Sequence, residues 1–237
     1  MMFKEITQTK IYLQILEQIK ENIISGNLKI GDRLPSERQW AEQLGVSRAT
    51  IREAIRALEM IGLVRCQQGE GNFISDQFED TFTQPLTIMF WLNRSEIREV
   101  QELRRALEIE SAMLAASKMT DAQYESLEKL CTAIEIETNE SARANYDKQF
   151  HYEIAIISDN KLIKNILSSA SDLIEALIKD IRIAILRDPD NFSVIDVHHR
   201  SILNALRENE PLKAAQAMST HMDMIDQFVK QISSEQV

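Results

Sequence analysis

The chain has 237 residues, enough for one large domain or two ordinary domains with proper cores. A formal net charge of -10 argues against nonspecific polyanion binding by the whole molecule, and two cysteines cannot form a disulfide framework in a chain of this size. The first ten residues are unlike a signal peptide, and the longest apolar run, residues 86–92, is too short to span a bilayer. We therefore predict a cytoplasmic protein with no membrane partner.

Charge is unevenly distributed along the chain. Residues 1–75 hold ten Lys and Arg against nine Asp and Glu, whereas the remainder holds seventeen against twenty-eight. If the first part binds nucleic acid, its positive groups must lie on one face, away from the acidic remainder.

Residues 10–25 have the pattern of an amphipathic helix that ends at Gly26. Two short helices joined by a tight turn are predicted next. Ser36 and Gln39 have capping-box spacing at the start of the first helix, Gly45 breaks the pattern, and Ser47 can cap the second helix. The apolar stripe of the second helix consists of Ile51, Ile55 and Leu58. This arrangement is a helix-turn-helix.

Residues 63–75 read LVRCQQGEGNFIS, which predicts a strand, a glycine turn and a second strand. Such a hairpin is the wing of a winged helix. We expect Cys66 to face inward beside Val64, and Trp40 to pack in the core or at its edge. The sequence therefore predicts a winged helix-turn-helix domain that reads DNA over residues 1–75.

Residues 34–74, LPSERQWAEQLGVSRATIREAIRALEMIGLVRCQQGEGNFI, resemble the DNA-binding domain of the GntR family of bacterial transcription regulators, and the resemblance covers about residues 10–75. That family contacts DNA through the Arg of its PSER segment, the start of the recognition helix and the tip of the wing. The resemblance places these contacts at Arg38, Ser47, Arg48, Ala49, Thr50, Arg52, Gln68 and Gly69. Arg48 and Arg52 are expected to bind guanine, whereas Ser47 and Thr50 are expected to bind phosphate. Ala49 can offer only a methyl contact.

Residues 76–84, DQFEDTFTQ, are polar and acidic and are predicted to be a linker. The pattern over residues 85–237 is helical. Approximate helices are predicted at residues 84–92, 95–118, 120–138, 141–157, 160–187, 193–208 and 211–233. About seven helices with short loops predict an all-α antiparallel bundle, and so a mainly α chain.

All four histidines lie in this second part. Asp147 and His151 are four residues apart, so they share one helix face, and that face is apolar. His199 and His221 lie on the apolar stripes of two later helices. His198 lies beside the stripe that contains His199, so it is a weaker inward candidate. A single inward histidine is usually a core residue that is hydrogen-bonded to a carbonyl. Three inward histidines and one Asp are harder to explain in this way, because each of the four would need its own buried partner. One divalent cation would satisfy all four, and Zn, Ni, Mn and Fe all suit these ligands.

Residues 102–116, 146–160 and 198–206, with the helix around His221, resemble the FCD ligand-binding domain of the FadR-type subfamily, over about residues 80–233. The resemblance implies metal ligands at Asp147, His151, His199 and His221, with Zn the first choice. It also implies that Arg104 points into the same cavity, where it could fork a carboxylate. Asn160 is either a second effector contact or a helix cap. One of Arg104 and Arg105 is expected to pair with Glu108 on a solvated face.

These resemblances imply a homodimeric transcription regulator, most simply a repressor, that binds a palindromic operator. Its effector would be a small organic acid such as lactate, pyruvate or gluconate. Two alternatives keep DNA binding but make the metal purely structural or make it the signal itself. A remote alternative is a metal-dependent enzyme, for which we find no general base, since Glu153 lies on a different side of its helix from Asp147 and His151.

Overall fold

The structure, a computed structural model, describes residues 11–75, 85, 88–89, 97–171, 173–175, 178, 181 and 190–235. The chain divides into two compact units, Met1–Phe82 and Thr83–Val237. The division falls within the predicted linker, residues 76–84, which lies outside the described residues. Helices make up most of both units in the described ranges, so the predicted mainly α fold is confirmed.

The first unit consists of three helices followed by a hairpin. Its elements are α1 (Ile11–Ile24), α2 (Glu37–Leu44), α3 (Arg48–Met60), β1 (Val64–Gln67) and β2 (Gly71–Ile74). Their core is formed by apolar residues of every element, among them Ile15, Trp40, Ile51, Leu58 and Ile74. The predicted helix-turn-helix and its wing are therefore present.

Local capping explains why α2 and α3 are separate helices. Ser36 and Gln39 form the predicted capping box at the start of α2, and Gly45 ends α2 with a φ of +67°. Because glycine adopts this left-handed conformation without a Cβ clash, the chain can turn tightly. Ser47 then accepts a hydrogen bond from the backbone N–H of Thr50 and starts α3.

Cys66 corrects one expectation, because its side chain is exposed rather than buried. It alternates with Val64 as expected, but it pairs with Asn72, nearer the turn, where the hairpin extends past the core. Partial burial and then the nearby Glu59 raise the pKa of the Cys66 thiol to about 11. Cys66 is therefore a protonated thiol at neutral pH.

The second unit is helical wherever it is described. Its helices are α4 (Ile97–Ala116), α5 (Asp121–Ile136), α6 (Glu140–Ile157), α7 (Lys161–Ser169), α8 (Asp190–Arg207) and α9 (Pro211–Glu235). Five of them match predicted helices to within a few residues. The predicted helix at 84–92 lies largely outside the described residues. Within it, the structure describes residues 85, 88 and 89, and these are helical.

The predicted helix at 160–187 is interrupted. Helix α7 ends at Ser169 with Ala170 as its C-cap, and the described residues from 171 to 181 are helical again. Serines at 168, 169 and 171 surround the break. A serine hydroxyl competes for backbone hydrogen bonds, which weakens a helix locally.

Helix α4 is central to the second unit, since it packs against α6, α7, α8 and α9. The core around it is made of fully buried side chains such as Phe150, Ile154, Ile202, Leu203 and Met218. Polar side chains that α4, α6, α8 and α9 direct inward must therefore meet one another. None of the described helices is both long and apolar enough to cross a membrane.

Candidate DNA-reading surface and candidate metal centre

The start of α3 presents the residues expected to read DNA. Arg48, Ala49 and Arg52 are exposed in the first turns of the helix, and Thr50 is half-buried. The Ser47 hydroxyl caps the helix and lies 2.8 Å from the Thr50 hydroxyl, so both hydroxyls already make contacts within the first turn of α3. The exposed basic groups at this helix start are thus Arg48 and Arg52.

Arg52 differs from Arg48 because it is paired with an acid. Its Nε lies 3.3 Å and 3.4 Å from the two carboxylate oxygens of Glu37, and its Nη2 donates to Oε2 at 3.1 Å. This fork joins the start of α3 to the start of α2, next to exposed Arg38. Glu37 was not among the residues predicted from the sequence.

Gln68 and Gly69 lie exposed in the turn between β1 and β2. Gly69 has a φ of +81°, and a Cβ built on it would meet nothing within 4 Å. The turn therefore needs glycine for its backbone conformation and leaves open space beside it, as expected of a wing tip.

Three imidazoles meet inside the second unit. His151 comes from α6, His199 from α8 and His221 from α9, and one ligand nitrogen from each lies within 4.8 Å of the others. The centroids of their rings are 4.8 Å to 5.4 Å apart. Two donors on opposite sides of one cation lie at most about 4.2 Å apart, because each metal–nitrogen bond is about 2.1 Å long. A small contraction of the cluster would bring all three within bonding distance of one ion.

Asp147 belongs to the same cluster through His199. Its Oδ1 lies 3.2 Å from His199 Nε2, although the pair is not aligned for a hydrogen bond. Two ligands of a common cation at tetrahedral or right angles lie about 3.0–3.4 Å apart. The distance between Asp147 and His199 therefore fits two ligands of one ion.

Burial and neighbouring charges set the protonation of the cluster. Burial lowers the pKa of His199, which the contact with Asp147 partly offsets. Burial, and then the neighbouring His199 and His151, hold the pKa of His221 well below its usual range. For Asp147, burial acts to raise the pKa, but the contact with His199 and the nearby positive groups hold it well below its usual range. The centre therefore contains an ionised Asp147 beside His199 and His221, two imidazoles that resist protonation.

Most nitrogens of the three imidazoles make no aligned hydrogen bond. Within the part of the chain that the structure describes, five of these buried nitrogens have no aligned hydrogen-bond partner, although His151 Nδ1 and His199 Nε2 each lie close to a carboxylate: Nδ1 and Nε2 of His151, Nδ1 and Nε2 of His199, and Nδ1 of His221. A buried polar atom left unpaired costs about 1–3 kcal/mol. A core role would require a carbonyl for each ring, whereas a divalent cation satisfies several at once. The donor set thus fits a divalent metal ion.

Arg104 and Glu108 of α4 lie beside this cluster and are also buried. Arg104 Nε donates to Glu108 Oε1 at 2.7 Å, and Oε2 of the same carboxylate lies 2.5 Å from His151 Nδ1. Burial acts to raise the pKa of Glu108, but Arg104 and His151 lower it to about 2. Glu108 is therefore ionised and links Arg104 to a predicted metal ligand.

The pairing of Arg104 and Glu108 corrects an expectation. The predicted ion pair exists at i, i+4 spacing, but it is buried rather than on a solvated face. Arg105 instead bonds across to α9, where its guanidinium contacts Asp223 at 2.7 Å and Asp226 at 3.1 Å. A sequence signal for this existed, because Arg104 and Glu108 share a helix stripe with Ser111, Ala112 and Ala115, which are all buried.

Asn160 and His198 are not among the three clustered imidazoles and Asp147. The Asn160 side chain accepts hydrogen bonds from the backbone of Leu162 and Ile163, so it caps α7. His198 is half-buried, and its ring centroid lies 6.1 Å from that of His221. The contact observed for Asn160 is therefore the capping one.

A small cavity of about 50 Å³ adjoins the cluster. Its polar lining comes mainly from Arg104, Glu108, Lys148 and His151. Its apolar lining comes from Leu167, Ile174 and Ile178, with Tyr152 beside them. Arg104 and His151 thus line the same cavity, which is large enough only for a small molecule.

Two family models match the chain. The model for bacterial regulatory proteins of the gntR family matches residues 11–74, and the model for the FCD domain matches residues 99–224. The first match covers the helix-turn-helix and wing, and the second contains Arg104, Asp147 and all three clustered histidines.

Curated relatives and a solved structure match nearly the whole chain. The HTH-type transcriptional regulator LutR of Bacillus subtilis (strain 168) is 30% identical over 217 residues, which cover 91% of this chain and 99% of LutR. The putative L-lactate dehydrogenase operon regulatory protein of Escherichia coli (strain K12) is 27% identical over 227 residues, 94% of this chain and 88% of that protein. The structure of a Streptococcus agalactiae GntR protein aligns with a TM-score of 0.64 and 30% identity over 89% of this chain and 96% of its own.

Proposed function

Because the chain belongs to the gntR family of bacterial regulatory proteins and carries an FCD domain, we propose that a divalent cation and a small monocarboxylic acid in that domain control its affinity for a palindromic operator. The family establishes a DNA-binding transcriptional regulator and not an enzyme. The observation that carries the rest is the convergence of Asp147 and three buried imidazoles, most of whose nitrogens make no aligned hydrogen bond, beside buried Arg104.

In this proposal, the first unit reads DNA with α3 in the major groove and the hairpin tip beside it. Arg48 makes two hydrogen bonds to a guanine. Arg52 binds phosphate through the terminal nitrogen that does not contact Glu37. Arg38, Ser47, Ala49, Thr50, Gln68 and Gly69 complete the contact surface. A homodimer supplies the second helix for the other half of the palindrome.

Asp147, His151, His199 and His221 would hold the cation. Neutral imidazoles and a carboxylate suit Zn²⁺ first, and also Ni²⁺, Mn²⁺ or Fe²⁺. When bound, the ion supplies a positive centre that an acid's oxygens can bind. The protein's own residues set the shape of the site and the charge around it.

The charges of the site favour an acid with one negative charge. Glu108 neutralises Arg104, so Asp147 is the one uncompensated charge among the protein groups of this cluster. A divalent ion converts this single negative charge into a single positive one. A monocarboxylate restores neutrality, whereas a dicarboxylate leaves an extra buried negative charge without a partner.

Arg104 is placed to bind the carboxylate. Its Nε is engaged by Glu108, and its two terminal nitrogens make no hydrogen bond to any residue that the structure describes. A pair of terminal N–H groups can fork a carboxylate. Leu167, Ile174 and Ile178 would enclose the acid's short carbon chain. We do not include Asn160 in this site, since its side-chain oxygen caps α7.

Control of DNA binding requires a difference in affinity for the acid. We propose that the protein represses transcription and that the acid binds its DNA-incompetent arrangement more tightly. A tenfold release needs about 1.4 kcal/mol of differential binding.

Selection of genomic fragments on the purified protein tests the DNA-reading part. Retained fragments that share a short palindrome are the expected result, and no retention even at low salt, where phosphate contacts are strongest, would contradict it. Calorimetry of Zn²⁺-loaded protein with L-lactate and with L-malate tests the acid. We expect heat of binding for the monocarboxylate and at least tenfold weaker binding of the dicarboxylate, and the opposite order would refute the charge argument.

A further inference from the structure

Glu108 is a buried carboxylate whose two oxygens contact two different functional groups. Its side chain is about 5% exposed, as is that of His151, and the Arg104 side chain is 3% exposed. Oε1 accepts from Arg104 Nε at 2.7 Å, and Oε2 lies 2.5 Å from His151 Nδ1. A charge this deeply buried is rare unless it has a specific role or partner.

The distance between Glu108 and His151 indicates whether Glu108 is itself a metal ligand or a partner of one. Two ligands of one ion stand about 3.0 Å apart or more, and the 2.5 Å between these atoms is too short for that. The two atoms are in close contact, but the ring N–H is not aligned with Oε2, so a small rotation of the imidazole would let Nδ1 donate to the carboxylate. The contact reaches Nδ1, which leaves Nε2 of the same ring for the cation.

We propose that Glu108 is a positioning residue of the metal centre: it holds the His151 ring and places its proton on Nδ1, so that Nε2 can bind the cation. A carboxylate that accepts from the second nitrogen of a ligating histidine fixes its tautomer and orientation and makes it a better ligand. This inference rests on the metal site proposed above. It adds a residue outside the four ligands.

The same carboxylate connects the centre to Arg104. Because one carboxylate contacts both groups, a shift of the Arg104 guanidinium toward an incoming acid is transmitted to the His151 ring. Acid and metal are thereby expected to strengthen each other's binding, and this coupling is reciprocal.

The test is competition for Zn²⁺ against a chromogenic chelator, with wild type, Glu108→Gln and Glu102→Gln. Glu102 lies on the same helix in an exposed pair with Arg98, so Glu102→Gln is a matched control that should not change affinity. Loss of the Glu108 charge should weaken Zn²⁺ binding about 10- to 100-fold. The absorption bands of bound Co²⁺ should also shift in Glu108→Gln, since the His151 ring is no longer held.

A merely structural role for the buried ion pair predicts something different. Arg104→Gln breaks the same pair but leaves the carboxylate beside His151, so it should retain or tighten Zn²⁺ binding. Equal weakening in Arg104→Gln and Glu108→Gln would overturn the proposal. If Glu108→Gln does not fold, as judged by circular dichroism, the double variant Arg104→Gln/Glu108→Gln removes both buried charges and replaces it. Wild-type affinity in that double variant would also overturn the proposal.

The outcomes separate this inference from the metal site itself. Failure of wild-type protein to compete for Zn²⁺ would reject the metal centre and the inference with it. Tight binding by wild type and by Glu108→Gln alike would reject the inference alone.

Discussion

Arg52 of the recognition helix is held by Glu37 of the preceding helix through a fork that uses Nε and Nη2 of the guanidinium. Guanine recognition by arginine commonly uses two N–H groups at once. With two of its nitrogens engaged, Arg52 cannot fork a base unless it leaves Glu37. We therefore expect Arg48 to be the base-reading arginine and Arg52 to stay near the phosphate backbone.

Glu37→Gln should raise affinity for all DNA while lowering the preference for the operator. Removing an acid near phosphate strengthens nonspecific binding, and releasing Arg52 lets it contact any sequence. Fluorescence anisotropy with an operator and a scrambled duplex measures both, and we expect the affinity ratio to fall at least fivefold. Because the pair is solvent-exposed, stability should hardly change. An unchanged ratio would show that Glu37 has no part in specificity.

Arg48→Ala should weaken operator binding by about 1–3 kcal/mol and should leave acid affinity intact. The reason is that Arg48 lies in the first unit, whereas the proposed acid site is built from helices of the second. Anisotropy and calorimetry check the two affinities, with exposed Arg98→Ala as the control for loss of one positive charge. Parallel loss of both affinities in Arg48→Ala would mean that the two roles are not separable.

Arg104→Gln should lose most of its affinity for L-lactate but should still bind the operator without acid. A buried fork to a carboxylate is replaced by a side chain with no charge, which we expect to cost at least tenfold in affinity. Calorimetry on the Zn²⁺-loaded variant measures the loss, and Arg105→Gln serves as the neighbouring control because Arg105 points to Asp223 and Asp226. Loss in the Arg105 variant alone would place the acid elsewhere.

Metal-free protein should become less stable as the pH falls below about 6.5. The folded-state pKa values of His199 and His221 lie below the unfolded value of 6.5, so the unfolded state binds more protons in this range. Between pH 7.5 and 5.5, His221 should remove about 1.4 kcal/mol from the free energy of unfolding, and His199 should remove at most that amount. Urea titrations at these pH values measure the drop, which His221→Gln should reduce by about one such increment.

The carboxylates act in a separate, more acidic window. The pKa of Glu108 is lowered from 4.5 to about 2, so its contribution to stability is present above about pH 4.5 and is lost as the pH falls toward 2. A drop between pH 7.5 and 5.5 that is unaffected by His221→Gln would contradict the assignment to the histidine cluster.

Local chemistry made the first unit predictable from its sequence. The capping box at Ser36, the left-handed Gly45 and the cap at Ser47 are each encoded within a few residues, so their pattern predicts them directly. The inward faces of Asp147, His151, His199 and His221 were equally readable, because an apolar stripe fixes the buried side of a helix.

Tertiary contacts were not readable in the same way. The spacing of Arg104 and Glu108 indicated a pair, but only the packing of α4 against α6 shows that the pair is buried against His151. Likewise, Glu37 and Arg52 are fifteen residues apart on two helices, so their contact depends on how those helices cross. The exposure of Cys66 depends on where the core ends, which strand alternation does not encode.

The most direct test of the account is the affinity of a selected operator for Zn²⁺-loaded protein, measured by anisotropy with and without L-lactate, in wild type and in Asp147→Ala. We predict that the acid lowers the operator affinity of wild type at least tenfold. The variant should bind the operator, but its affinity should no longer respond to the acid. An equal response in both proteins, or a wild-type protein that binds its operator identically with and without the acid and the metal, would contradict control through this centre.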